Sequence, residues 1–328
     1  MDPILTLTDQ GLYCAAGDFH IDPWQPVERA VITHAHADHL CPGSRTYVTV
    51  REGAALVRAR VGDEAIVEAV PYGETIAHDG VRISLHPAGH ILGSAQVRIE
   101  RGGEVWVVSG DYKLEPDPTC ASFASLPCHT FVTECTFGLP VFRWRPGAEV
   151  FAGINDWWRA NREAGKASVL FAYPVGKAQR VLAGVDASIG PIHTHGSVER
   201  YTALYRDAGV ALPATSPVNG PLAGALVVAP PLARNTPGLR KLGPVSTALA
   251  SGWMRIRGAR RRQSLDRGFV LSDHADWPGL MSAIESSGAS QIWAVHGYRN
   301  AVARWLQEKG LDAQAVETRT PAGAEEDA

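Results

Sequence analysis

No apolar run in this 328-residue sequence is long enough to cross a bilayer. The longest, Ala223–Ala233, is broken by Gly224, Pro230 and Pro231. Met1 to Gly17 has no basic flank followed by an apolar stretch, so neither a secretory signal nor a membrane span is expected. Cysteine is scarce: Cys14, Cys41, Cys120, Cys128 and Cys135 are odd in number, and no two have C-x-x-C spacing. This argues against a disulfide framework or a thiolate zinc ribbon and fits a reducing cytoplasm. Strong net charge is absent too, since a formal −3 draws no polyanion by itself. The charge is unevenly spread, however. Arg255, Arg257, Arg260, Arg261, Arg262 and Arg267 have only Asp266 among acids in their stretch, which suggests a local basic patch suited to phosphate contact. There are no internal repeats. With 45% hydrophobic residues, the chain can bury one large core or two moderate ones and should be a soluble globular protein.

Short β-rich segments fill the first third: Ile4–Thr8, Ala30–Thr33, Val81–His86, Ala95–Glu100 and Glu104–Ser109. Gly102-Gly103 between the last two predicts a hairpin. From about Ala148 the pattern alternates between helix and strand, with helices over 150–164, 177–187 and 198–208 and strands over 168–172 and 191–193. That is the rhythm of a parallel α/β layer. A Pro/Gly-rich loop (212–222) precedes an apolar strand at 225–229. Strands at 268–271 and 291–295 then alternate with helices at 277–286 and 298–308. The tail from Thr318, rich in acids and alanine, is expected to fray.

What the chain does contain is a dense cluster of metal-competent side chains, Val31-Ile-Thr-His34-Ala-His36-Ala-Asp38-His39, directly after a β-branched run. A strand ending at Thr33 delivers this loop to a sheet edge. There His34 and His36 can face one ion while Asp38 and His39 face another. Other candidates also follow apolar strands: His90 in Pro87-Ala-Gly-His-Ile-Leu-Gly-Ser94, Asp111 after Val107-Val-Ser-Gly, Glu134 in Thr-Glu-Cys-Thr-Phe-Gly138, His274 in Leu271-Ser-Asp-His-Ala-Asp276, and His296 before Gly297. His20, His78, His86 and His129 read as structural; His193-Thr-His195 has ligand-like spacing but no nearby Asp-His, which suggests a structural or substrate-contact role.

Together with the segment Phe171-Ala-Tyr-Pro-Val-Gly-Lys-Ala-Gln-Arg180, these motifs resemble the metallo-β-lactamase superfamily, and within it the β-CASP nucleases, over nearly the whole chain. Tyr13-Cys-Ala-Ala-Gly-Asp-Phe-His-Ile-Asp-Pro-Trp24 looks most like the bacterial exonucleases associated with DNA ligase operons, relatives of the mRNA 3′-end cleavage factor. The resemblance implies an α/β architecture: a metallo-β-lactamase αββα sandwich over residues 1–145 and 255–318, a β-CASP α/β insert over 146–254, and a frayed tail over 319–328. It assigns His34, His36 and His90 to a first zinc, Asp38, His39 and His296 to a second, and Asp111 to a bridge. Manganese is an alternative metal. Asp22 would brace the metal loop from behind the ligands, with Asp18 a competitor for that role. Asp38, His274 and Glu134 are the implied catalytic residues, His274 serving as general acid oriented by Glu134.

A paired-cation site makes hydroxide available near neutral pH for in-line attack on phosphorus. The expected activity is therefore a zinc-dependent phosphodiesterase, a DNA exonuclease acting on single strands or ends in repair, with Arg255, Arg257, Arg260, Arg261, Arg262 and Lys177 contacting the nucleic acid. A ligase and a helicase of a repair operon are the implied partners. His296 at the last motif is the residue that RNA-acting members of the family tend to carry, which keeps an RNA-processing nuclease as the alternative. A small-molecule metallo-hydrolase is a further rival that has no use for Glu134 or His274.

Overall fold

The computed structural model of the chain describes residues 3–256 and 265–319. Contacts divide it into two units, one built from the chain up to Arg143 and from His274 onward, the other from Trp144–Asp273.

In the first unit, β1 (Thr6–Thr8), β2 (Gly11–Cys14), β3 (Phe19–Ile21), β4 (Arg29–Val31), β5 (Thr46–Val50) and β6 (Ile66–Val70) form a sheet in that order, antiparallel as far as β3 and parallel from there. Helix α1 (Ala54–Val61) makes the crossover from β5 to β6. A second sheet starts with β7 (Thr75–His78), β8 (Val81–Pro87), β9 (Ala95–Arg101) and β10 (Glu104–Val108), joined antiparallel, and continues to β11 (Thr130–Glu134), parallel to β10. The β9–β10 hairpin turns at Gly102-Gly103, as the sequence predicts.

The second unit runs α2 (Gly147–Glu163), β12 (Ala167–Phe171), α3 (Lys177–Gly184), β13 (Ile192–Thr194), α4 (Gly196–Asp207), β14 (Ser216–Pro217), β15 (Leu226–Ala229), α5 (Pro237–Arg240), β16 (Val245–Ala250) and β17 (Arg267–Phe269). Its sheet, ordered β14-β13-β15-β12-β16-β17, is parallel throughout. The central strands β12 and β15 are buried along their whole length, as parallel strands covered on both faces must be. The expected return near residue 255 falls later, after Asp273, because β17 pairs with β16 and stays with this sheet.

The chain then adds α6 (Trp277–Ser287), β18 (Gln291–Val295), α7 (Arg299–Glu308) and β19 (Asp312–Ala315) to the first unit. There β18 joins β11, and β19 joins β18. The two-residue period of β10 explains the layering: Trp106 and Val108 enter a core shared with Leu12, Phe19, Ile21 and Val31 of the first sheet, while Val105 and Val107 face a second core against α6 and α7. The two sheets thus lie face to face, with helices behind the second. The ends of β3, β4, β10, β11 and β18 converge on one edge of this pair.

No helix among the described residues is long and apolar enough to cross a membrane, and no disulfide is formed among them.

Candidate metal centre

Strand β4 is followed by Ile32 and Thr33, and then by the loop that carries His34, His36, Asp38 and His39. His34 Nε2 and His90 Nε2 each lie 3.1 Å from His36 Nδ1. They lie 3.5 and 3.7 Å from Asp111 Oδ2, respectively. Four donors around a tetrahedral zinc at roughly 2.0–2.1 Å stand about 3.3 Å apart. The donor set and its spacing therefore fit a cation of that size. The other oxygen of Asp111 faces the second half of the loop: Oδ1 is 3.4 Å from His39 Nε2, which is 3.8 Å from Asp38 Oδ2. One carboxylate thus divides its two oxygens between a three-histidine cluster and a His–Asp pair, an arrangement able to hold two neighbouring ions. His296, just past the end of β18, has its ring tilted against that of His39 with centroids 5.2 Å apart but stands outside the compact ligand clusters found among the described residues.

The backbone behind these candidate ligands is locally unusual. Asp22 follows β3 at φ 42° and His296 follows β18 at φ 55°, both in the left-handed region that non-glycine residues seldom occupy. Asp22 accepts three hydrogen bonds: Oδ1 from the Thr33 backbone N–H at 2.8 Å, and Oδ2 from the Thr33 hydroxyl at 2.5 Å and from His39 Nδ1 at 2.8 Å. The Thr33 hydroxyl donates to Asp22, so it accepts from His34 Nδ1 at 3.1 Å. In the neutral rings this chain places the protons of His34 and His39 on Nδ1 and leaves both Nε2 lone pairs pointing into the site. Asp18, the competitor for this role, instead accepts from the Tyr13 hydroxyl. Gly110 fits tightly beside Thr33, where a Cβ would lie 2.6 Å from that residue's Cβ.

Three further contacts carry no sequence signature. The Ser94 hydroxyl accepts from the backbone N–H groups of His90 and Ile91 and closes the His90 loop. The Arg60 guanidinium, on α1, donates to the Ala35 carbonyl between His34 and His36. Thr318 Oγ1 lies 3.2 Å from His296 Nδ1. Thr318 and Arg319 belong to the segment expected to fray, yet they line a cavity of about 40 Å³ together with Asp22, Asp38, His39 and His296. The remaining tail residues lie outside the described ones.

Charge is strongly redistributed here. Burial pushes His34 well below the usual imidazole value, and its neighbour His39 adds to the effect. Burial also opposes protonation of His39, but Asp111 and Asp38 outweigh it and raise this imidazole well above its usual value. Burial likewise disfavours charge on Asp111, yet His39 and His274 hold the carboxyl well below its ordinary range. Burial, reinforced by His39, lowers His296.

His274 lies beside this centre, its ring 4.7 Å from that of His90 and its Nδ1 3.0 Å from Glu134 Oε1. Glu134 is buried, with Oε1 accepting from the Tyr112 N–H and Oε2 from the Thr136 N–H. The proposed nucleic-acid contacts fare differently. Lys177 is buried and its ammonium is 2.9 Å from Asp273, while Arg180 binds Asp273 and the Ser272 carbonyl; the expected surface phosphate contact at Lys177 is thereby corrected. Arg255 and Arg267 are exposed; Arg257, Arg260, Arg261 and Arg262 lie outside the described residues. His129 accepts from the Val105 N–H, His86 bonds Ser84, and His195 caps α4.

No protein-family model matches the chain. It is 32% identical over 311 residues to a probable DNA ligase of Opitutus terrae, covering 93% of this chain and 30% of that protein. It is 30% identical over 144 residues to endoribonuclease ysh-1 of Neurospora crassa (43% of this chain, 16% of that one). It is 32% identical over 148 residues to transcription termination factor FttA of Pyrococcus abyssi (41% and 22%). The chain thus spans less than a third of the length of these relatives. In fold it resembles a crystal structure of a protein of unknown function from Enterococcus faecalis, with TM-score 0.60, 10% identity, and 89% of this chain and 79% of that one covered. With the motif set and these relatives together, the chain belongs to the β-CASP family of the metallo-β-lactamase superfamily.

Proposed function

We propose that this chain is a dinuclear zinc-dependent nuclease, a metallo-β-lactamase sandwich carrying a β-CASP insert, that hydrolyses phosphodiester bonds in single-stranded DNA or at DNA ends. The observation that carries this reading is the split of Asp111 between the His34–His36–His90 cluster and His39, with the His274–Glu134 pair alongside. His34, His36 and His90 would hold one cation, Asp38, His39 and His296 the other, and Asp111 both. When bound, the cations supply Lewis acidity and hydroxide near neutral pH.

The remaining chemistry falls to side chains. Phosphodiester hydrolysis expels an alkoxide, a poor leaving group that needs a proton. The His274 Nδ1–H donates to Glu134, which fixes the ring and leaves Nε2 to deliver that proton as the bond between phosphorus and the leaving oxygen breaks. Two backbone N–H groups hold Glu134 rigid for this task. A thioester expels a thiolate, a better leaving group, and would gain little from the pair. The relative named a DNA ligase, matched over nearly the whole chain, supports DNA as substrate and a ligase as functional partner. The relative named an endoribonuclease, together with His296 at the last motif, supports RNA as the second reading.

The deciding assay incubates purified protein with zinc or manganese on matched end-labelled single- and double-stranded DNA and RNA, read by product length. Progressive shortening of single-stranded DNA is expected. Faster cleavage of RNA would favour the second reading, and thioester turnover without phosphodiester cleavage would overturn both. His274→Ala should lose about 10²–10⁴-fold in cleavage rate while keeping its metal; a metal-free variant would make His274 a ligand instead.

A further inference from the structure

Resting on the assignment of His296 as a ligand, we infer that Thr318 is a positioning residue for the second cation and that residues 316–319, after β19, are part of the metal centre. His296 sits just past the end of β18 with a left-handed backbone. Its ring orientation must be set by side-chain contacts, and the site shows a repeated way of doing this. His34 Nδ1 is engaged by Thr33, His39 Nδ1 by Asp22 and His274 Nδ1 by Glu134, and in each case Nε2 is the nitrogen left for chemistry. His296 Nδ1 has Thr318 Oγ1 at 3.2 Å, the same threonine-to-imidazole pairing as Thr33 with His34.

The register explains how a residue 22 positions away arrives there. Strand β19 runs parallel to β18 with Ala315 opposite Ala294, and the Val316 N–H donates to the Ala294 carbonyl at 2.8 Å, so the chain leaves the sheet alongside His296. Thr318 and Arg319 then wall the cavity that Asp38, His39 and His296 share. As acceptor, the Thr318 hydroxyl keeps the His296 proton on Nδ1 and the lone pair on Nε2. If that hydroxyl is lost, nothing in this pairing favours the ligating tautomer. The bond is between neutral groups, whereas the one behind His39 ends on a carboxylate. The second cation is therefore the one whose retention depends on Thr318.

The test compares Thr318→Val, which keeps the shape and removes the hydroxyl, with Thr318→Ser, which keeps the hydroxyl. Zinc stoichiometry and the two dissociation constants are measured by chelator competition, with melting of the metal-free proteins as the check on folding. Wild type is expected to bind two ions. Thr318→Val should weaken one of them about 10–100-fold and leave the other unchanged. Thr318→Ser should stay within about threefold of wild type. Thr318→Val holding both ions at wild-type affinity would overturn the inference, as would valine and serine variants that lose the ion alike, which would assign the effect to packing. A wild-type protein that binds one ion, or a His296→Ala variant that retains two, would instead overturn the ligand assignment beneath it.

Discussion

Replacing Asp22 by asparagine swaps one carboxylate oxygen for an NH₂ with almost no change of shape, and its consequences can be followed proton by proton. Asp22 receives three donors: the Thr33 N–H at 2.8 Å, the Thr33 hydroxyl at 2.5 Å and His39 Nδ1–H at 2.8 Å. Asparagine can keep its carbonyl toward the Thr33 N–H, but its NH₂ then faces the other two donors. His39 must move its proton to Nε2, the atom 3.4 Å from Asp111, and so loses the lone pair that would bind a cation. The Thr33 hydroxyl must turn to accept, and its own proton then points at His34 Nδ1, driving the proton of that ring to Nε2 as well. Flipping the amide rescues neither histidine without opposing the NH₂ to the Thr33 N–H. Changing a residue that braces one metal-bound histidine costs about 10–100-fold in metal affinity, or about 1.4–2.7 kcal/mol. Because Asp22 stands behind a histidine of each cluster, Asp22→Asn should weaken both cations by at least this much. Two-site zinc competition titration is the assay. Two ions bound at wild-type affinity would refute the tautomer reasoning, and loss confined to one ion would cut the Thr33 relay out of it.

Other perturbations separate the supports of the site from one another. Arg60→Met keeps the apolar stem but removes the bond to the Ala35 carbonyl. It should weaken zinc about tenfold in competition titration while moving the metal-free melting temperature little; unchanged affinity would reduce Arg60 to a surface contact. Gly110→Ala drives a Cβ to 2.6 Å from Thr33 Cβ and 2.8 Å from Oγ1 at φ 55°, and should cost about 1–3 kcal/mol of folding stability by denaturant titration as well as zinc. In the second unit, Glu199 accepts from Thr194, Thr215 and Arg206. Burial raises its pKa, but these bonds win and hold it below the ordinary carboxylate value. A depressed folded pKa contributes stability that is present above the unfolded value and lost as pH falls through the folded one. Glu199→Gln should accordingly melt a few degrees lower at pH 7, with the gap closing below about pH 4; a gap constant with pH would show that the charge plays no part.

The candidate metal loop could be read from the sequence because its potential donors are neighbours: His34, His36, Asp38 and His39 fall within six positions, and few structural roles call for that density. Asp111, Glu134 and His274 were visible for a related reason, each sitting just past a run apolar enough to be a strand. The supports were not visible. Thr33 and Thr318 are ordinary threonines whose role exists only through partners across the sheet edge, and Arg60 lies 25 residues from the carbonyl it binds. Lys177 misled because a lysine near a helix start is usually solvated; its partner Asp273 lies far along the chain, past β17. The same long range moved the boundary between the units, since only the pairing of β17 with β16 ties residues 267–269 to the second sheet. In the first sheet, β2 and β3 are only three or four residues long, too short for a periodic signal to develop. Chemistry that must be local in sequence declares itself there, whereas the groups that fix a tautomer or a ring angle can be recruited from anywhere the fold brings close. Positions such as Thr318, outside any strand or helix and unremarkable in type, are therefore where a sequence reading is most in need of a structure.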